Sequence, residues 1–288
     1  MNEPHLRIGA LSQRVGVSPE LLRAWEQRYG LLQPVRSDGG FRLYSSADEQ
    51  RVRAMRRHID AGVSAAQAAR LALAETSEEG AETSPGLARL AGELRAALDR
   101  LDEPGAHASL DRLLAWFTIE TVLRDVLLPY LHELGERWEL GEVSVAQEHF
   151  ASNVLRGRLL GLARGWGNGS GPTTVLACAP GELHDLPLMI FGLVLAGRGR
   201  AVTYLGPDTP VATIREALGS LRADRVVISA TTSQRLRRAK AELVELAREV
   251  PVALAGAGAS AALADEIGAS LLQGDPVTAA ARIAEKGP

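Results

Sequence analysis

Residues 173–179, Thr-Thr-Val-Leu-Ala-Cys-Ala, make a short β-branched and aliphatic run that Pro180-Gly181 breaks off, and Glu182-Leu183-His184-Asp185 follows at once. A run of this length closed by turn residues reads as a buried parallel strand ending in a loop. Similar runs recur at 201–206, 225–230, 251–256 and 270–273 with helical segments between them. That alternation predicts an α/β, Rossmann-like doubly wound parallel sheet over residues 172–288, with its ligand outside the carboxyl ends of the strands where the strand order reverses. His184 lies on the first strand-end loop. An imidazole there, with Glu182 and Asp185 able to accept its second ring proton, has the parts of a transition-metal ligand; a loop histidine with no task is the other reading. Leu205-Gly206 and Thr209, Ser229 and Thr231, and Gly256 and Gly258 fall at later strand ends, where small residues let a bulky ligand approach the backbone.

Upstream, residues 87–166 are helical in pattern: Leu87, Leu90, Leu94, Leu98 and Leu101, then Leu110, Leu113, Leu114 and Phe117, then a run from Val122 to Leu134, then a segment starting at Ser144. Four helices of this length predict a four-helix bundle. Trp138, Val145, Glu148 and His149 gather near the junction of its last two helices. They can close the bundle or cover a ligand.

The net charge of −3 is unevenly spread: residues 1–75 hold 11 arginines against 8 acids, and the remainder 21 cationic residues against 27 acids. Within the basic part, Ile8, Leu11 and Val15 repeat at helical spacing, Gly16 ends the turn, and Ser18-Pro19-Glu20 opens a second helix carrying Arg23, Trp25 and Arg28. This is a helix-turn-helix. Arg36, Gly39-Gly40, Phe41, Arg42 and Tyr44 then read as a glycine-turned wing suited to a phosphate backbone. Ser46 is expected to cap the next helix, 46–60, and a further helix follows at 64–74. The acidic, small-residue stretch 76–86 is the expected linker.

Leu-Arg-x-Trp-Glu-x-Arg-Tyr-Gly-Leu followed by Gly-Gly-Phe-Arg-Leu-Tyr resembles the recognition helix and wing of the MerR family of winged-helix regulators. The resemblance implies base contact by Arg23 and DNA-facing roles for Trp25, Arg28, Arg36, Arg42 and Tyr44; Phe41 stands where that family commonly has histidine. Trp138, nine residues, then Glu148-His149 resembles the helical cap of cobalamin-dependent photoreceptor regulators of the CarH/LitR type, and Glu182-x-His184 with the later loops resembles the cobalamin-binding Rossmann-like domain.

Taken in order, these resemblances imply a transcriptional repressor, not an enzyme, that carries adenosylcobalamin. They imply His184 as the lower cobalt ligand, operator DNA as partner, and a homotetramer in the dark that light dismantles. Glu139 occupies the place of a histidine that ligates cobalt after illumination in such photoreceptors, so that ligand is not expected here. Sensing of cobalamin abundance, or of another tetrapyrrole or hydrophobic ligand, and a corrinoid methyl carrier remain the other readings.

Cys178 is the sole cysteine and sits in an apolar strand, which excludes a disulfide framework or zinc cluster and points to a reducing cytoplasm. No signal peptide or membrane span is expected.

Overall fold

The computed structural model describes residues 6–36, 41–76 and 86–285. The Gly39-Gly40 turn and most of the expected linker, residues 77–85, lie outside the described residues. The chain divides into two compact units, Met1–Val126 and Leu127–Pro288.

In the first unit, α1 (Ile8–Val15) buries Leu11 and Val15 and ends at Gly16 in the left-handed region. Ser18 caps α2 (Pro19–Tyr29) by accepting from the Leu21 N–H at 3.3 Å, with Pro19 at the first turn where its missing donor costs nothing. Strands β1 (Val35–Arg36) and β2 (Arg42–Leu43) pair antiparallel as the wing. Helix α3 (Ser46–Asp60) is capped one residue earlier than expected, by Ser45. Its hydroxyl accepts from the Asp48 N–H while Asp48 accepts from the Ser45 N–H, a reciprocal box that adjacent serines make hard to place from sequence. Helix α4 (Ala65–Thr76) closes this part. Helices α5 (Leu87–Asp99) and α6 (Glu103–Trp116) follow as an antiparallel pair, burying Leu90, Leu94 and Leu98 with Ala106, Leu110 and Leu113.

The third helix of the expected bundle is interrupted. A short α7 (Ile119–Val122) passes into a π-helical turn, Leu123–Leu127, and then α8 (Leu128–Glu139). Pro129 has no N–H to give the carbonyl of residue 125, which is the physical reason for an irregular turn there. The division between the units falls inside this turn, so α5–α7 belong to the first unit and α8 to the second.

The second unit continues with α9 (Val145–Leu162), opened by a box between Ser144 and Gln147. The sheet comprises β3 (Thr173–Cys178), β4 (Ala201–Gly206), β5 (Ala223–Ser229), β6 (Val252–Ala255) and β7 (Ser270–Leu271), all parallel, in the order β4-β3-β5-β6-β7. Between them run α10 (Leu186–Gly197), α11 (Val211–Ser220), α12 (Ser233–Arg238), α13 (Lys240–Glu249) and α14 (Ala261–Ile267), and α15 (Pro276–Glu285) closes the unit. The connection after β3 runs to β4 on one side and the connection after β4 crosses back to β5 on the other, so the strand order reverses beside β3. The loops after β3 and β5 therefore flank the ligand crevice of such a sheet. Beneath them Val175, Ala177, Val226, Ile228 and Leu254 form a fully buried core. Among the described residues no helix is long and apolar enough to cross a membrane.

Candidate cofactor site and DNA-facing residues

The sheet places His184 at the reversal point, and Glu182 fixes its ring. Glu182 is completely buried, yet its two oxygens accept five hydrogen bonds. Oε1 accepts from the His184 backbone N–H at 2.9 Å and faces Nδ1 of the His184 ring at 2.6 Å. Oε2 accepts from the Thr231 N–H and hydroxyl, each at 2.6 Å, and from Arg235 Nη1 at 2.7 Å. Burial alone would raise the Glu182 pKa; the donors from Thr231 and His184 more than offset it and bring it down to about 2. An anion so held keeps the proton on Nδ1 and leaves Nε2 as the ring's lone pair. The imidazole itself is 66% exposed.

Asp185 does not share this task, contrary to the sequence-based expectation. It is buried, and it accepts from Tyr204 and forms an ion pair with Arg156 of α9. Tyr204 packs edge-on against Trp166 with centroids 5.7 Å apart. The Tyr204 pKa rises through burial and through its bond to Asp185. Asp185 thus anchors the residue after His184 to α9 and β4. Cys178 lies below, its thiol raised to about 12 by burial and by the charges of Asp185 and Glu182, so it is not a nucleophile at neutral pH.

The remaining strand-end residues divide by exposure. Thr209 is buried, its hydroxyl donating to the Gly206 carbonyl at 3.0 Å and its N–H to Cys178 at 3.3 Å, and Leu205 packs on the core, so these two shape the crevice from beneath. Asp208 ties the same loops, accepting from the Gly181 N–H at 2.6 Å and donating its own N–H to the Glu182 carbonyl at 2.8 Å. Ser229 is buried at the end of β5, and Gly256 and Gly258 lie beside it. A Cβ on Gly256, at φ +86°, would fall 2.4 Å from the Ala230 carbonyl oxygen, and one on Gly258 2.4 Å from the Thr232 carbonyl carbon. Only glycine permits these two loops to lie together.

Within the same unit, Trp138 and Val145 are half exposed or more, at 50% and 58%, with Leu140 and Leu183 also open to solvent. Glu148 accepts from Ser152 at 2.7 Å and pairs with His149 Nδ1 at 2.7 Å. Burial pushes the Glu148 pKa up, but bonds from Ser152 and His149 and the charges of His149 and His184 bring it below its ordinary value. His132 is exposed and pairs with Glu136 at 3.3 Å.

In the winged helix, Arg23, Arg28 and Arg36 are exposed, as a DNA-facing role needs. Arg42 is half exposed and pairs with Glu26 of α2 at 3.1 Å. Trp25 and Tyr44 are corrected: both are core residues, with the Tyr44 ring fully buried and its hydroxyl donating to Glu26 at 3.0 Å. Burial first, then Glu26, raises the Tyr44 pKa to about 12. Glu26 thereby fastens the wing to the recognition helix. Arg7, not foreseen, stacks over the exposed Phe41 ring at 4.4 Å.

Among the described residues no three His, Cys, Asp or Glu side chains gather into a metal site. A lone, oriented imidazole suits a metal whose other positions a macrocycle already fills, so the donor set fits cobalamin.

Residues 6–75 match the family described as MerR HTH family regulatory protein, and residues 90–160 and 172–283 each match a B12 binding domain. The HTH-type transcriptional repressor CarH of Myxococcus xanthus is 34% identical, the match covering 96% of this chain and 97% of that protein. The repressor CarA of the same organism is 31% identical over 88% of this chain and 87% of its own. The solved monomethylamine corrinoid protein of Methanosarcina barkeri shares the fold at a TM-score of 0.58 and 20% identity, covering 70% of this chain and 100% of that one. The chain belongs to the CarH-type family of MerR regulators, which join a helix-turn-helix to B12-binding domains.

Proposed function

We propose that this protein is a light-responsive transcriptional repressor, not an enzyme, that works in the cytoplasm and holds adenosylcobalamin as its sensor. The observation that carries the reading is the pair His184–Glu182, an exposed imidazole with one nitrogen locked by a buried carboxylate, in a chain that also bears a MerR helix-turn-helix. When bound, adenosylcobalamin supplies a cobalt–carbon bond that visible light cleaves. His184 Nε2 would ligate the cobalt. Gly206, Ser229, Thr231, Gly256 and Gly258 would border the rest of the cofactor, with Leu205 and Thr209 supporting them. Trp138 and Val145, with Glu148 and His149 beside them, would give an apolar cover to the group that cobalt carries.

Arg23 would read bases, while Arg28, Arg36 and Arg42 would neutralise phosphates. In the dark several winged helices held in one homotetramer would share adjacent operator sites, and their separation would remove effective concentration without changing any single contact. The test is reconstitution with adenosylcobalamin in the dark, desalting, and comparison of visible spectrum, sizing profile and operator binding before and after illumination. A protein that retains no cobalamin, or whose operator binding ignores both cofactor and light, would overturn the proposal.

A further inference from the structure

The turn between α3 and α4 in the DNA-binding part is pinned to the helical segment that follows it. The Gly62 carbonyl accepts from the Thr118 N–H at 2.7 Å, the Ser64 N–H donates to the Trp116 carbonyl at 3.0 Å, and Val63 and Phe117 stand opposite each other as an isolated antiparallel pair. The two hydrogen bonds flank the pair, so it is the close, non-hydrogen-bonded kind. Val63, Phe117 and Thr121 are buried. Gly62 adopts φ +82°, and a Cβ there would meet Thr121 Oγ1 at 2.2 Å, so the surfaces fit only without a side chain. The partner edge exists because α6 stops at Phe117, which is extended, and Thr118 starts α7 anew by accepting from the Thr121 N–H at 3.2 Å.

We propose that this clasp is the surface by which the winged helix and helices α5–α7 become one rigid body, and that the state of the cofactor reaches DNA through it. The inference rests on the cofactor-responsive reading above. A backbone-to-backbone clasp fixes orientation as well as distance, so any displacement of α6 and α7 would reorient α2 by the same rotation.

Three variants of the full chain test this. Gly62→Ala and Phe117→Ser open the clasp from opposite sides. Val63→Cys/Phe117→Cys locks it, since directly opposed Cβ atoms about 4.5–5.5 Å apart lie within a small shift of disulfide geometry, and the native Cys178 is buried. The cofactor-dependent change in operator affinity, expected at roughly 5–150-fold, should shrink severalfold in both opened variants, to the share that assembly alone supplies, while each still retains cobalamin through desalting. The locked variant should keep it. Retention of the full change by the opened variants, or its loss on locking, would overturn the proposal. If Gly62→Ala does not fold, Phe117→Ser decides. Should the unaltered protein show no cofactor dependence at all, the functional reading fails. Hydrogen exchange at the Ser64 and Thr118 amides then judges the clasp: slow exchange supports one rigid body, and exchange at the rate of an open amide overturns it.

Discussion

Glu182 Oε1 lies 2.6 Å from Nδ1 of His184, and of these two residues the carboxylate is wholly buried while the imidazole is mostly exposed. The inequality gives the pair its direction. Glu182 is over-determined by donors from three residues, so it orients the ring rather than following it, and the ring's remaining nitrogen is presented to the crevice. A histidine held by a mobile surface carboxylate would have no such preference.

Replacing Glu182 with Gln should lower cobalamin affinity by about 10–100-fold, the usual cost of losing an outer-shell partner. A binding titration followed by the cobalamin spectrum measures it. The same substitution should change acid stability. The Glu182 pKa is about 2 in the fold against 4.5 ordinarily, so its contribution is present above pH 4.5 and is lost as pH falls toward 2. The apoprotein should therefore lose stability over that window, and Glu182→Gln should show a shallower acid limb; equal limbs would mean that Glu182 is not held as an anion.

Arg156→Leu should cost about 3 kcal/mol by urea unfolding, because among the described residues it leaves the buried Asp185 carboxylate with Tyr204 alone as side-chain donor. Tyr204→Phe should cost less, about 1–3 kcal/mol, since the Arg156 pair survives. A loss below about 1 kcal/mol for Arg156→Leu would show the pair to be solvated in practice.

Gly258→Ala should destabilise the second unit by about 2 kcal/mol or more and abolish cobalamin retention, because the new methyl has only the Thr232 backbone to displace. Thermal unfolding and desalting give the two readings. Wild-type stability with normal binding would mean that the two loops part without cost.

Much of this was legible in the sequence, for local reasons. Ser18-Pro19 and Ser144 mark helix starts because a cap is a matter of two or three neighbouring residues, and each sheet strand announced itself as an apolar run closed by small residues. The arginines that hold the cofactor site's carboxylates were not legible. Arg156 and Arg235 lie 29 and 53 positions from the carboxylates they hold, and nothing in their own surroundings distinguishes them from solvated cations. Trp25 and Tyr44 were misread for a related reason: an aromatic residue between arginines looks alike whether it faces DNA or closes the core beneath it. The Pro129 interruption was visible, but the consequence that the helical region would be shared between two units depends on packing that periodicity does not encode.

Tyr44→Phe separates those two readings in the wing. As a core residue it should lose about 1.5–3 kcal/mol of stability through its bond to the Glu26 carboxylate, with DNA affinity per folded molecule unchanged. Arg42→Ala should instead weaken binding to operator and random DNA alike and reduce the salt slope by about 0.9, whereas Arg23→Ala should relax discrimination between them. A fall in DNA affinity for Tyr44→Phe without loss of stability would return that residue to the interface.

Trp138→Ala tests the covering role of the helical segment. The indole is half exposed, so the apoprotein should change in stability by no more than about 0.5 kcal/mol, as an open surface position allows. Cobalamin binding should survive, because His184 and Glu182 are untouched, but the preference for adenosylcobalamin over hydroxocobalamin should vanish and the dark assembly should weaken on sizing chromatography. The two measurements must be read together: a large loss of apoprotein stability would make Trp138 a packing residue whose effect on the cofactor is indirect, and an unaltered preference in a stable protein would remove it from the cofactor's upper side.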